Sequence, residues 1–187
     1  MSTSQPLAEP RPALLVRAVR DEDMRAVERI YGHHVRHGLA SFEEVAPGMG
    51  ELMRRRAEVV GRGFPYLVAE RDGRILGFAY AGPYRPRPGY RHTVEDSVYV
   101  DETALRQGIG RTLLAAIIER CTALGYRQMV AVIGDSGNRS SIGAHKALGF
   151  REAGRLVAVG YKLGRWVDIV IMQRPLGPGD ATPPERP

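Results

Sequence analysis

A single cysteine, Cys121, stands among 187 residues, so no internal disulfide can form and the fold must rest on its apolar core. Cys121 falls on the apolar stripe of a predicted helix, where a free cysteine serves as a small buried hydrophobe, not as a catalytic thiol. Long apolar runs are also missing. The longest, Leu113 to Ile118, is too short to span a bilayer, and the polar, proline-bearing start from Met1 to Pro12 has no signal-peptide core. These features predict one soluble, cytoplasmic domain with no membrane partner. Aromatics are sparse at 7%, and the arginines are scattered in ones and twos apart from Arg54-Arg55-Arg56. No basic stripe interleaved with aromatics exists, which argues against nucleic acid. The net charge of +6 instead suits a phosphorylated cofactor. His33, His34 and His37 have no cysteine nearby and no clear further ligand, so no metal site is expected.

Proline and glycine punctuate both ends, and residues 1–12 and 177–187 are expected to be disordered around a domain spanning 13–176. Within it, Leu14–Ala18 reads as a strand, and Asp21 as the cap of a helix carrying Met24, Val27, Ile30 and Tyr31. A second helix follows over Leu52–Val60. Tyr66–Glu70 and Ile75–Tyr80 flank Asp72-Gly73, a hairpin signal. Val94–Val100 is the next strand. Ile109, Leu113, Ile117, Cys121 and Leu124 then form one stripe of a helix that stops at Gly125. Strand 129–133, helix 140–148 and strands 156–161 and 167–172 complete the order β-α-α-β-β-β-α-β-α-β-β. The strand-helix-strand crossover forces one parallel pair in a mixed α/β sheet.

Chemistry concentrates in two stretches. Strand Ser97-Val98-Tyr99-Val100 leads into Leu105-Arg106-Gln107-Gly108-Ile109-Gly110-Arg111 at a helix start, where glycines admit an anion close to unpaired N–H groups and the helix dipole favours it. A dinucleotide fold would need a third glycine at Leu113, and a P-loop would need Gly-Lys-Ser/Thr; both are absent. Further on, Asn138, Ser141, His145, Gly149 and Phe150 surround a short helix, with Asn138 placed to cap it and Ser141 and His145 sharing a face.

With these two stretches in order, the chain resembles the GNAT acetyltransferase superfamily and, more narrowly, the phosphinothricin/methionine sulfoximine acetyltransferases. Ala79-Tyr80-Ala81-Gly82-Pro83-Tyr84, the run Tyr90 to Val100, Val132-Ile133-Gly134, His145 to Phe150, and Gly164-Arg165-Trp166-Val167-Asp168 carry the likeness. The resemblance implies acetyl-CoA as cosubstrate, a GNAT fold and a homodimer. It also implies pantetheine on Ser97–Val100, pyrophosphate on the 105–110 loop with Arg106 and Arg111, and a cofactor contact from Asn138. Leu105 departs from the Gln or Arg usual at the loop's first position. The acceptor is implied to meet Arg85, Arg87, Pro88, Gly89 and Tyr90, and Glu95 and His145 are the candidates for proton transfer. Strand alternation groups Glu95 with Ser97 and Tyr99, opposite Val94, Val98 and Val100. Which of Glu95 and His145 is the base stays open. Tyr84, Tyr90 and Trp166 are expected as pocket wall or core. The acceptor is expected to be a small amino-acid analogue. The alternatives are a protein N-terminus, a polyamine or an aminoglycoside as acceptor, or a non-catalytic acyl-CoA sensor.

Overall fold

A computed structural model describes residues 12–184, so the expectation for the N-terminal segment lies outside the described residues except at Pro12. The elements are β1 (Leu15–Ala18), α1 (Met24–His37), α2 (Met49–Gly61), β2 (Tyr66–Arg71), β3 (Arg74–Pro83) and β4 (Thr93–Val100). They continue as α3 (Ile109–Ala123), β5 (Gln128–Gly134), α4 (Arg139–Ala147), β6 (Arg151–Lys162) and β7 (Arg165–Pro175). The order is the predicted one. Seven strands form a single sheet, β1-β2-β3-β4-β5-β7-β6, antiparallel throughout except where β4 meets β5. β2 and β3 are joined through Asp72 and Gly73, both with positive φ, the geometry an Asp-Gly hairpin turn requires.

Two apolar clusters occupy the two faces of the sheet. On one, Ile109, Leu113, Ile117 and Cys121 of α3 pack on Val94, Ala79, Ala81 and Met129. On the other, Met24, Val27, Ile30 and Tyr31 of α1 pack on Val68, Tyr66 and Phe78. The helical spacings seen in the sequence are therefore core-facing stripes, except that Leu124 is exposed because α3 ends there and Gly125 turns the chain in the left-handed region. Burial pushes the Cys121 thiol up to about 12, which leaves it inert.

Three expectations change. Asp21 caps no helix; it opens a short 3-10 turn, and the backbone N–H of Arg20 donates to the Asp23 carboxylate, which also binds Arg17. The tail is ordered as far as Pro184: the Arg127 guanidinium donates to the carbonyls of Gly179, Thr182 and Pro183, so a proline-rich segment with few donors of its own is held by its acceptors. Trp166 is neither core nor pocket wall. It is 67% exposed and packs edge-on against Tyr161 across the β6–β7 hairpin. The Arg54–Arg56 cluster is neutralised by Glu51, Glu43 and Asp21. No helix among the described residues is long and apolar enough to cross a membrane.

Candidate functional site

The parallel pairing of β4 with β5 ends at Asp96 opposite Ala131, while β5 continues along β7 to Gly134. Beyond that last rung the two strands part, and a cleft of about 510 Å³ opens between them. Ser97, Val98, Tyr99, Val132, Gly134, Asn138, Ser141 and His145 line it. Asp101 N–H donates to Leu76 C=O and Tyr84 N–H to Thr93 C=O, so odd-numbered residues of β4 bond to β3 and even-numbered ones face the opening. Val98 and Val100 therefore turn backbone groups toward the cleft, whereas Ser97 and Tyr99 contribute side chains only. His34 Nε2 lies 2.8 Å from the Val100 carbonyl and donates to it, which leaves the Val98 groups and the Val100 N–H as a free strand edge.

The glycine-rich loop follows β4 and leads into α3. Arg106 and Gly108 both adopt left-handed φ, and Gly108 is the N-cap of α3. The first helical donor is Thr112 N–H, to Gly108 C=O, so the N–H groups of Ile109, Gly110 and Arg111 project from the helix end. A Cβ at Gly110 would lie 3.3 Å from Val100 Cγ2, so glycine there seats α3 tightly on β4. Leu105 through Gly108 are exposed, as is Arg111, and Gln107 accepts from Arg71 at 2.9 Å. Arg106 and Arg111, both exposed, lie just before and within the first turn of α3 along the chain. Unpaired first-turn N–H groups behind a left-handed glycine have the chemistry that suits an anion, and Leu105 adds no polar side chain to it.

Glu95 and His145 occupy opposite faces of the sheet at the apex of the cleft. Glu95 is half-buried opposite Gly82, and burial, followed by the charge of Asp96, raises its pKa above the ordinary carboxylate value. His145 is 5% exposed. Its Nδ1 lies 2.7 Å from the Ser141 carbonyl and its Nε2 lies 3.1 Å from Asp96 Oδ2. Burial opposes the imidazolium, but the bond and charge of Asp96 and the Ser141 carbonyl outweigh it and raise the pKa of His145. Asn138 caps α4 by accepting from Ser141 N–H at 3.1 Å while lining the cleft.

Sequence reasoning missed two parts of this site. One is Asp96, whose signal was a charged residue among Val94, Val98 and Val100 on the apolar face of β4. The other is the Ala40–Glu43 segment, which closes one wall of the cleft. It is seated by backbone proximity: a Cβ at Gly134 would run into the Leu39 carbonyl, and one at Gly160 into the Phe42 ring. The buried Lys162 ammonium donates to the Ser41 carbonyl at 2.5 Å, and Tyr31 donates to Glu43 at 2.8 Å.

Arg85 lies over the Tyr84 ring at 4.9 Å and close enough to Glu95 to pull against its raised pKa. Arg87 precedes a 3-10 turn of Pro88, Gly89 and Tyr90, and Tyr90 meets Tyr84 edge-on. All five loop residues are exposed, and none is among the residues that line the cleft. A separate cavity of about 250 Å³ lies beneath α2, walled by Tyr31, Tyr66, Phe78 and Tyr80. It holds no candidate acid–base pair. Among the described residues no group of three His, Cys, Asp or Glu side chains is arranged for a metal.

A free strand edge at a split in the sheet, unpaired N–H groups at a helix start, and Glu95 and His145 at the apex make up the candidate site of an acyltransferase. Comparison with known proteins narrows the class. The family described as Acetyltransferase (GNAT) domain matches residues 16–171. The chain is 57% identical over 175 residues to phosphinothricin N-acetyltransferase of Alcaligenes faecalis, covering 94% of this chain and 89% of that one. It is 41% identical to the L-methionine sulfoximine/L-methionine sulfone acetyltransferase of Pseudomonas paraeruginosa, covering 86% and 94%. The crystal structure of a GNAT superfamily phosphinothricin acetyltransferase from Sinorhizobium meliloti in complex with AcCoA superposes with a TM-score of 0.90 at 44% identity, covering 92% and 94%. The chain belongs to the GNAT acetyltransferase family, and it is an N-acetyltransferase.

Proposed function

We propose that this enzyme transfers the acetyl group of acetyl-CoA to the primary amine of a small zwitterionic amino-acid analogue of the phosphinothricin or methionine sulfoximine type, by direct attack of the amine on the thioester. The observation that carries the reading is the apex of the cleft, where Glu95 and His145 flank one opening from opposite faces of β4. Glu95 takes a proton from the acceptor ammonium, and the lift from burial brings its basicity closer to that task. His145 faces acceptors with both ring nitrogens and so serves the leaving sulfur as an acid. The Val98 groups and Val100 N–H would hold the pantetheine arm and Asn138 would steady it. The 105–111 segment would take the pyrophosphate through its N–H groups, Arg106 and Arg111. Similarity to the Alcaligenes and Pseudomonas enzymes supports the acceptor class.

Arg85 and Arg87 support it independently. Two guanidinium groups on a proline-stiffened loop favour carboxylate, phosphinate or sulfoximine oxygens and repel polycations. A cytoplasmic location goes with this reading, since acetyl-CoA is an intracellular thioester. So does a homodimer. The edge strand β6 and its hairpin partner expose Val157, Val159, Tyr161 and Trp166, an apolar surface that a second copy would cover. The test is release of free thiol from acetyl-CoA across an amine panel. Phosphinothricin and methionine sulfoximine should outpace spermidine, an aminoglycoside and a peptide N-terminus; faster turnover of a polycation would overturn the acceptor assignment.

A further inference from the structure

Proton accounting at His145 gives Asp96 a role. The Ser141 carbonyl can only accept, so the nitrogen 2.7 Å from it, Nδ1, carries a hydrogen. In a neutral ring that leaves Nε2 bare, facing a carboxylate oxygen at 3.1 Å. Two bare acceptors do not pair, so a proton lies between them. We propose that Asp96 is a positioning residue of the acetyl transfer: it holds His145 with a proton on Nε2, so that His145 can act only as the acid and Glu95, on the other face of the same strand, is the base. This rests on the acetyl-transfer reading above and deepens it.

The surroundings point the same way. Asp96 is 7% exposed, its Oδ1 has no hydrogen-bond partner, and among the described residues His145 is the cation that pairs with it. The charged or titratable groups facing the pair are Glu95 on β4 and the inert Cys121 thiol on α3. On α4, the Ser141 hydroxyl lies 3.4 Å from Nδ1, and beyond α4 the Phe150 ring meets the imidazole edge-on at 4.9 Å. Phe150 and Ser141 fix the ring plane, and Asp96 is left to fix its charge. Asp96 also occupies the last paired rung before β4 and β5 separate, which puts Nε2 at the apex of the cleft.

Protons and bonds balance with no added reagent. Glu95 removes a proton from the acceptor ammonium, the amine nitrogen bonds to the acyl carbon, the carbon–sulfur bond breaks, and the sulfur leaves with the Nε2 proton. The transfer runs from a nitrogen acid to an alkyl thiolate, whose conjugate acid titrates at about 8.5. His145 then faces Asp96 with a bare Nε2, and that repulsion recovers a proton from water before the next turnover. Glu95 returns its own to solvent.

The experiment is Asp96→Asn and Asp96→Glu beside wild type, read by nitrogen-15 NMR of the His145 ring, assigned by its absence in His145→Gln, and by the pH profile of kcat. In wild type, Nε2 should be protonated at pH 7 and deprotonate above the ordinary histidine value. Asp96→Asn should lower that transition by about one pH unit or more and move the alkaline limb of kcat with it, roughly a tenfold loss at pH 8. The KM for acetyl-CoA should stay within about twofold, and Asp96→Glu should restore part of the limb. A bare Nε2 in wild type at pH 7 overturns the proposal, a result that needs no variant to fold. So does an Asp96→Asn enzyme with the wild-type titration and kcat profile. Absence of acetyl transfer to any amine would instead sink the acetyl-transfer reading while the ring titration still tests the pairing.

Discussion

Gly77 tests whether the seat of α3 governs cosubstrate binding. It lies in β3 opposite Val100, and its backbone is one any residue adopts. A Cβ there would lie 2.8 Å from the Tyr99 carbonyl oxygen, 3.1 Å from Leu113 Cδ1 and 3.3 Å from Ile109 Cγ2. The first distance is roughly 0.5 Å shorter than an ordinary carbon–oxygen contact of about 3.3 Å. The carbonyl belongs to a paired strand and cannot swing away, so β3 must shift, and the contacts with Leu113 and Ile109 pass that strain to α3, whose first turn carries the candidate pyrophosphate N–H groups. Overpacking of this kind costs about 1–3 kcal/mol, and Gly→Ala returns roughly 0.5 kcal/mol through the unfolded chain. A net loss of about 1.5 kcal/mol lowers Tm by about 3–6 °C in a domain of this size. Gly77→Ala should show that fall in a thermal scan and should raise the KM for acetyl-CoA more than that for the acceptor. Gly154→Ala, in open space on β6, is the control and should stay within about 0.5 kcal/mol of wild type. Unchanged Tm and unchanged acetyl-CoA KM in Gly77→Ala would refute the close seat of α3 and its link to the cofactor loop.

Acetyl-CoA should raise the Tm of the wild type by mass action, and Gly108→Glu should abolish that rise. Gly108→Asn, which tolerates the left-handed φ at this cap, should keep part of it and so separate charge from strain. Because burial raises Glu95, the base form is lost as pH falls through a value above the ordinary carboxylate range, and kcat/KM should drop on that acid side. Glu95→Gln should remove the acid limb and lower kcat by roughly two to four orders of magnitude. Sedimentation velocity should find a dimer, and Val159→Glu on the exposed β6 face should convert it to monomer without unfolding.

How far the sequence reaches depends on the range of the interaction that sets each feature. The α3 stripe and the Asp-Gly hairpin were legible because helical periodicity and turn chemistry are local. The Gly108 cap was legible for the same reason, a glycine at a helix start beside a strand end. Asp96 was not. Its partner lies 49 residues away on α4, and spacing along the chain does not say which side chains meet across a sheet. The Ala40–Glu43 wall escaped because it is held by backbone proximity to Gly134 and Gly160 and by Lys162, none of which has a pattern before the strands are in register. The ordered tail escaped because composition counts prolines as breakers, whereas Arg127 uses the carbonyls around them.

The pleat of β4 lets the two proposed proton tasks share one strand. Consecutive residues point to opposite faces, so Glu95 falls among Tyr80, Ser97 and Tyr99 on the α1 side, and Asp96 falls with Val94 and Val98 beneath α3 and α4. A one-residue slip of β4 would exchange the two carboxylates, setting the unpaired one against His145 and burying the paired one without a cation. The register is held on one side by seven pairs with β3 and on the other by four parallel rungs with β5. The second set must stop at Asp96, since another rung would consume the Val98 groups that face the cleft. On the proposed mechanism, the short parallel pairing both keeps Glu95 and Asp96 on their separate faces and leaves a strand edge open for the cosubstrate.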